Sequence, residues 1–239
     1  TQSPELDRYD HHLVAGRAEL MSTLLLRLCA PMQAWGTQSH FGHRDTGREP
    51  SKSGVIGLLC AALGRPRSAP LDDLLTLQMG LRIDQEGVMR RDFHTAGKDG
   101  YYKVAGKIEK KDLITSHRYY LSDARFLVGL EGDIDLLETL YLALQNPKWF
   151  LFVGRKAFIP SERVWLPDGL QPTDLEQTLA TYPWLGKINP PKQLRLIVDD
   201  PVGSVVRNDN PVSFAPRRCL PRRMRVGFVP NPSYPIEEA

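Results

Sequence analysis

From Ser53 to Leu63 the chain reads S-G-V-I-G-L-L-C-A-A-L, with apolar side chains at Val55, Ile56, Leu58, Leu59, Ala61, Ala62 and Leu63. Wound as a helix, these positions cover almost the whole circumference instead of one stripe, so the helix has to be enclosed on every side. Gly54 and Gly57 permit close approach of another backbone, and Gly64 is a natural C-terminal stop. Enclosing such a helix takes a sheet and further covering elements. A chain of 239 residues is long enough to supply them as one large domain, or a domain with a smaller appendage. A hydrophobic fraction of 41% with 25% charge excludes wholesale disorder. No apolar run approaches the ~18 residues of a membrane helix.

The other elements follow from periodicity. Ser22–Leu28 (S-T-L-L-L-R-L) reads as a first, largely buried strand, with Leu24, Leu26 and Leu28 on one face and Arg27 on the other. Pro70–Thr76 predicts a short helical piece, Leu77–Ile83 a second strand, and Val88–Phe93 its hairpin partner after a turn at Gly87. Ala124–Leu130 predicts a third strand. Asp133–Leu144 carries Ile134, Leu137, Leu140, Tyr141 and Leu144 at helical spacing and is stopped by Asn146-Pro147. Trp149–Phe158 leads into a proline-rich connection and a short helix at Asp174–Thr181. Leu194–Val198 reads as the last core strand. Two strand-like pieces, Ser204–Arg207 and Met224–Val229, surround an arginine cluster, and residues 231–239 read as frayed. The strong elements run strand, helix, strand, strand, helix, strand. This predicts an α+β chain of ferredoxin-like (RRM-like) type, an antiparallel sheet with two helices on one face.

Charge is segregated along the chain. Arg90–Tyr120 holds eight Lys or Arg against four acids, and Pro201–Pro230 holds six Arg against a single acid, Asp209. Acids gather at Glu131, Asp133, Asp135, Glu138, Asp199 and Asp200. Separate basic blocks point to an anionic partner. From His94 to Tyr120 the apolar pattern fades, while lysines at 98, 103, 107, 110 and 111 alternate with Tyr101, Tyr102 and Val104. This reads as a protruding basic hairpin or arm. Pro31–Pro50 is a long irregular loop of the functional kind.

Chemistry narrows the classes. Cys29, Cys60 and Cys219 form no C-x-x-C pair, which argues against a disulfide framework or structural zinc site and fits a cytoplasmic chain. His11-His12 and the H-x-x-H-x-D of His40, His43 and Asp45 lack a supporting ligand cluster, so neither a metal nor a cofactor is expected. No nucleophile elbow occurs, and no P-loop. Asp72-Asp73 and Asp199-Asp200 read as caps and turns. Pro50-Ser51-Lys52-Ser53-Gly54 opens the apolar helix. It serves either as a plain serine cap with a solvated lysine, or as an anion site at free backbone N–H groups. Around the basic arm, His94, His117, Tyr101, Tyr119 and Lys103 have the groups for metal-independent RNA cleavage. Aromatics interleaved with lysines equally suit base stacking and phosphate neutralisation, and binding is the favoured of the two.

The longer strings are more specific. L-R-L-C-A-P-M-Q-A-W-G (Leu26–Gly36), R-x-x-G-R-x-P-S-K-S-G (Arg44–Gly54) and G-L-L-x-A-x-L-G (Gly57–Gly64) resemble the CasD family, the handle-binding subunits of type I-E CRISPR Cascade complexes. D-F-H-T (Asp92–Thr95), Arg118-Tyr119-Tyr120-Leu121 and V-G-R-K (Val153–Lys156) extend the likeness from about Ser22 to Val229.

The resemblance implies a RAMP-superfamily domain over 22–199, with a thumb hairpin inserted at about 94–120 and a glycine-rich loop near Gly154-Arg155-Lys156. A small C-terminal β extension would follow over 200–239. Residues 1–21 match nothing in the family and read as an extension; Thr1–Leu20 is polar and unlike a signal peptide, and Met21 could serve as an initiator. The implied role is non-catalytic: gripping the 5′ handle of CRISPR RNA and capping the filament of backbone subunits beside the large subunit. Target DNA would be met through the assembled complex, with no membrane involved. Self-processing of repeat RNA, as in type I-C relatives, is the alternative. The implied RNA contacts are Gln33, Arg44, Arg48, Ser51, Lys52, Ser53, Gly54, Lys103, Lys107, Arg118, Arg155, Lys156, Arg217 and Arg218, with Trp35 as either a base platform or a structural wedge.

Overall fold

The structure is a computed structural model that describes residues 22–36, 42–97, 100–103, 106–109, 113–187 and 189–235. The N-terminal extension, His11, His12, His40, Lys98, Val104, Lys110, Lys111 and the last four residues lie outside the described residues.

The chain is a mixed α+β, sheet-rich structure. Its elements are β1 (Ser22–Cys29), β2 (Met32–Gln33), β3 (His43–Arg44), α1 (Lys52–Leu63), α2 (Asp72–Leu75), β4 (Gln78–Gln85), β5 (Val88–Ala96), β6 (Tyr101–Tyr102) and β7 (Ile108–Glu109). They continue with β8 (Ile114–Ser122), β9 (Arg125–Gly132), α3 (Ile134–Gln145), β10 (Trp165–Gln171), α4 (Leu175–Thr181), β11 (Gln193–Asp199), β12 (Val205–Phe214) and β13 (Arg217–Pro230). One antiparallel sheet of seven strands runs β10-β1-β9-β4-β11-β13-β12.

Alternation sorts the side chains of β1 onto two cores. Leu24, Leu26 and Leu28 meet α1 and α3, whereas Leu25 joins Leu127, Leu166, Leu196 and Val198 beneath Leu175 and Leu179 of α4. Both faces are therefore covered at the centre of the sheet. This explains the near-continuous apolar run of β1, which a strand with one wet face would interrupt. On α1, Val55, Ile56, Leu59 and Ala62 are buried, whereas Gly54, Gly57 and Ala61 form a half-buried strip, so the helix is enclosed on all sides but one. Ser51 caps its start, its side chain accepting from the Gly54 N–H, and Gly64 ends it in the left-handed conformation.

Three sequence expectations change. The stretch read as a proline-rich connection contains β10, which pairs with β1 at the sheet edge. Pro167 and Gly169 hide it from a propensity reading, and an edge strand is where proline is tolerated. Leu194–Val198 is a buried core strand as expected, β11, and lies beside β4. Val88–Phe93 does not return against β4. As β5 it pairs with β8 from Val88↔Ser122 to Ala96↔Ile114. On the other side of β8 lie β2, antiparallel, and β3, parallel. The two tail strands are also longer than the apolar pattern indicates, because β12 continues through Asn208–Pro211 by way of register shifts.

Candidate nucleic-acid interface

One side of α1 along its length, the first loop, the β3/β8 ladder, the segment 149–156 and the tip of the β12–β13 hairpin enclose an open groove of about 1170 Å³. That is larger than the ~300–1,000 Å³ of ordinary small-molecule pockets.

Its floor is backbone-rich. Trp35 is 2% exposed; its indole N–H donates to Gln33 Oε1 (3.2 Å) and its backbone N–H to Thr46 Oγ1 (2.9 Å). The ring lies against Gly54, where an added Cβ would come within 2.9 Å of it. Trp35 is thus the wedge between the first loop and α1, with little face left for a base. The segment 149–156 is fastened at several points. Lys148 and Trp149 donate to the carbonyls of Ala62 (2.9 Å) and Ala61 (3.1 Å), satisfying the open end of α1. Val153 O accepts from the Ala34 N–H (3.1 Å). Gly154 then crosses Ala34 at φ +94°, where a Cβ would sit 1.6 Å from the Ala34 carbonyl oxygen. Only glycine fits there, which accounts for the glycine of V-G-R-K.

Arg155 follows directly. Its Nη2 donates to Arg44 O (3.1 Å) and Tyr119 O (2.8 Å), and its guanidinium lies 5.4 Å from the Phe158 ring centroid. Burial, and then the charges of Arg118 and Arg44, push the Arg155 pKa below its ordinary value; the pull of Asp45 and Asp92 does not make up the difference. Arg44 and Arg118 are register partners on β3 and β8, which fixes their closeness. Among the described residues, none of these three guanidiniums forms an ion pair with a carboxylate. Three cations held together against their own repulsion make a site that an anion would relieve.

Several expected residues converge on the groove: Trp35, Arg44, Ser51, Ser53, Gly54, Arg118, Arg155, Lys156 and Arg217. Others do not. Gln33 is fully buried, donating to Leu28 O (3.2 Å) and Ala124 O (2.7 Å) as a clip between strands. Lys52 turns inward, with a side chain only 6% exposed and Nζ donating to Leu77 O (2.8 Å) and Asp199 Oδ2 (3.0 Å). Its backbone N–H is taken by Asp209 Oδ2 (2.9 Å), so an internal carboxylate fills the helix-terminal position proposed for a phosphate. Arg48, Lys107 and Arg218 are exposed but outside the groove lining, and Lys103 pairs with Glu109 (2.6 Å) near the hairpin tip.

Sequence reasoning missed Arg65, Arg67, Trp149, Phe150, Phe152 and Phe214, all of which line the groove. R-P-R after the Gly64 stop and W-F-L-F carry no site signal in the sequence by themselves. Yet Phe150 is 96% exposed and Trp149 50%. Large apolar rings at the rim of a basic groove are surfaces on which bases stack.

Of the groups considered for cleavage, His117 and Tyr119 come together on the ring of His43 (5.4 and 6.5 Å between centroids), but His94 does not join them. His94 lies opposite Ser116 and His117 opposite Phe93, so the two histidines project from opposite faces of the hairpin. His94 contacts Asp92, while His117 stacks with His43 at 5.4 Å. Among the described residues, no group of three or more His, Cys, Asp or Glu side chains is placed to hold a metal ion. In the same residues, no helix is long and apolar enough to cross a membrane.

A family model described as "CRISPR-associated protein (Cas_Cas5)" matches residues 23–229. The chain is 32% identical over 179 residues to the "CRISPR system Cascade subunit CasD" of Escherichia coli (strain K12), covering 70% of this chain and 80% of that one. A solved structure described as "Crystal structure of Cas protein" superposes with a TM-score of 0.72 at 42% identity, covering 91% of this chain and 100% of the other. A chain of a "CRISPR RNA-guided surveillance complex" gives a TM-score of 0.74 at 33% identity, with 88% and 91% covered.

Proposed function

This chain belongs to the CRISPR-associated Cas5 family and is CasD-like within it, and from that premise we propose that it is a non-catalytic, RNA-binding subunit of a Cascade surveillance complex. It grips the 5′ handle of CRISPR RNA along the groove, with Arg44, Arg118 and Arg155 on one phosphate and Lys156, Arg65, Arg67 and Arg217 along the strand. Phe150 and Trp149 offer faces to unstacked bases. The observation that carries this reading is the cluster of Arg44, Arg118 and Arg155, none of them ion-paired to a carboxylate among the described residues, beside exposed aromatic rings.

The finer architecture belongs to the same proposal. The order β10-β1-β9-β4, with α1 and α3 on one face, supports a ferredoxin-like core within 22–199. The β5–β8 hairpin is its inserted thumb, and 200–239 is a β extension of the same sheet. In the complex the subunit caps the backbone filament, touches the large subunit and meets target DNA only through the assembly, in the cytoplasm. Separation of His94 and His117 on opposite hairpin faces favours binding over self-processing.

The test is incubation of the full chain with labelled repeat RNA in EDTA, followed on native and denaturing gels. A shifted, uncut RNA is expected, with preference for the handle sequence over a scrambled one. A discrete product on the denaturing gel would move the chain to the endoribonucleases.

A further inference from the structure

The sequence singles out Asp209 as the lone acid in an arginine-rich tail, and RNA binding gives it no role. It is fully buried. A register shift in β12 between Asn208 and Asn210 leaves Asp209 without a cross-strand partner and turns its carboxylate beneath α1. There it accepts from the Lys52 N–H (2.9 Å) and from Arg222 Nε (2.9 Å) and Nη2 (3.0 Å). Arg222 also pairs with Asp199, whose other oxygen accepts from Lys52 Nζ (3.0 Å). Two cations and two anions close a buried, neutral circuit joining α1, β11 and both strands of the C-terminal hairpin.

Outside this circuit the hairpin is held by the Arg207–Glu49 ion pair, by packing of β12 on α1 and α2, and by Phe214 against the main core. β11 pairs with β13 only from Met224 to Pro230, so the distal part is a two-stranded ribbon, marginal by itself. Its turn nevertheless places Phe214 near Gly57 (3.8 Å from a Cβ built there) and Arg217 on the groove wall.

We propose that Asp209 and Arg222 are positioning residues for RNA: by docking the hairpin on the start of α1 they make its tip, Phe214 and Arg217, one wall of the groove. This rests on the RNA-binding reading. The helix terminus is closed by the protein's own carboxylate, so the RNA phosphates fall to the arginines of the walls.

The test combines two readouts on the full chain. Hydrogen exchange without RNA should show Asp209→Asn speeding exchange in 212–219 while β1 and β9 stay protected. Affinity for labelled handle RNA should fall in Asp209→Asn by the same factor as in Arg217→Ala, and the double variant should bind no worse than either single one. Arg155→Ala should cost the same factor in both backgrounds. If Asp209→Asn does not fold, Asp209→Leu with Arg222→Met removes both charges without leaving a buried ion unpaired, and the same results are expected. Unchanged exchange in 212–219, or multiplicative losses for Asp209→Asn and Arg217→Ala, overturns the proposal. A wild-type chain that binds no RNA defeats the RNA reading and the positioning role with it, and exchange alone then judges whether Asp209 docks the hairpin.

Discussion

Arg155→Gln separates what this guanidinium does for folding from what it does for an anion. In the free chain it makes two charge-assisted hydrogen bonds, to Arg44 O and Tyr119 O, contributions of ~1.5–3 kcal/mol each. Against them stand its partial burial and the repulsion of Arg118 and Arg44, which the neutral glutamine escapes. The two sides oppose one another, so the loss of folding stability in urea titration should be smaller than the ~3–6 kcal/mol that the two hydrogen bonds would contribute together. Binding has no such offset. Loss of one charged contact costs ~1.5–3 kcal/mol, a weakening of about 10- to 150-fold. One fewer phosphate contact lowers the slope of log K against log salt by ~0.7 for a single strand. Arg155→Lys keeps the charge but loses the planar fork, so its salt slope should match the wild type while its affinity falls. The assay is fluorescence anisotropy with handle RNA over a range of salt. Wild-type affinity and slope in Arg155→Gln would remove the three-arginine cluster from the interface.

Other substitutions follow from the same geometry. Gly154→Ala should cost more than ~3 kcal/mol in denaturant titration, because its Cβ would sit 1.6 Å from Ala34 O. Lys52→Met leaves Asp199 short of a partner in a buried cluster and should cost ~3–5 kcal/mol of stability, with the RNA salt slope unchanged. Phe150→Ala should leave stability unaltered, since the ring is 96% exposed, and weaken RNA binding by ~1–3 kcal/mol. Burial pushes the Cys29 thiol up from 9.0 to about 11, only partly offset by Arg125. Alkylation at pH 8 should therefore label Cys219 and spare Cys29 in the folded chain. The folded state holds that proton more tightly than the unfolded one, so this contribution to stability is lost as pH climbs from 9.0 towards about 11.

Elements whose periodicity matches their burial were legible in the sequence. The all-round apolar helix at Ser53–Leu63 is α1, and the spacing of Leu137, Leu140 and Leu144 marks the buried side of α3. Strand β10 was not legible, since a W-L-P-D-G-L-Q edge strand carries breakers that a central strand would exclude. Pairing of β5 with β8 instead of β4 is long-range information that local pattern does not hold. In the candidate site, the motif residues around Trp35, Gly54 and Arg155 were found because strings this long are specific. The role of Lys52 was misread for a physical reason. Its two partners, Asp199 on the ammonium and Asp209 on the backbone N–H, arrive from strands about 150 residues further along the chain. Phe150 and Trp149 escaped because an apolar ring in a sequence signals a core, and only the fold reveals it at a rim.

Whether RNA lies in this groove is read out by ultraviolet crosslinking of the full chain to handle RNA, with the crosslinked peptides identified by mass spectrometry. RNA in the groove gives crosslinks at Trp149–Lys156 and Phe214–Arg217, abolished together by excess unlabelled handle RNA. Crosslinks confined to Tyr101–Lys107, or to the surface around Trp184 and Phe228, would contradict it.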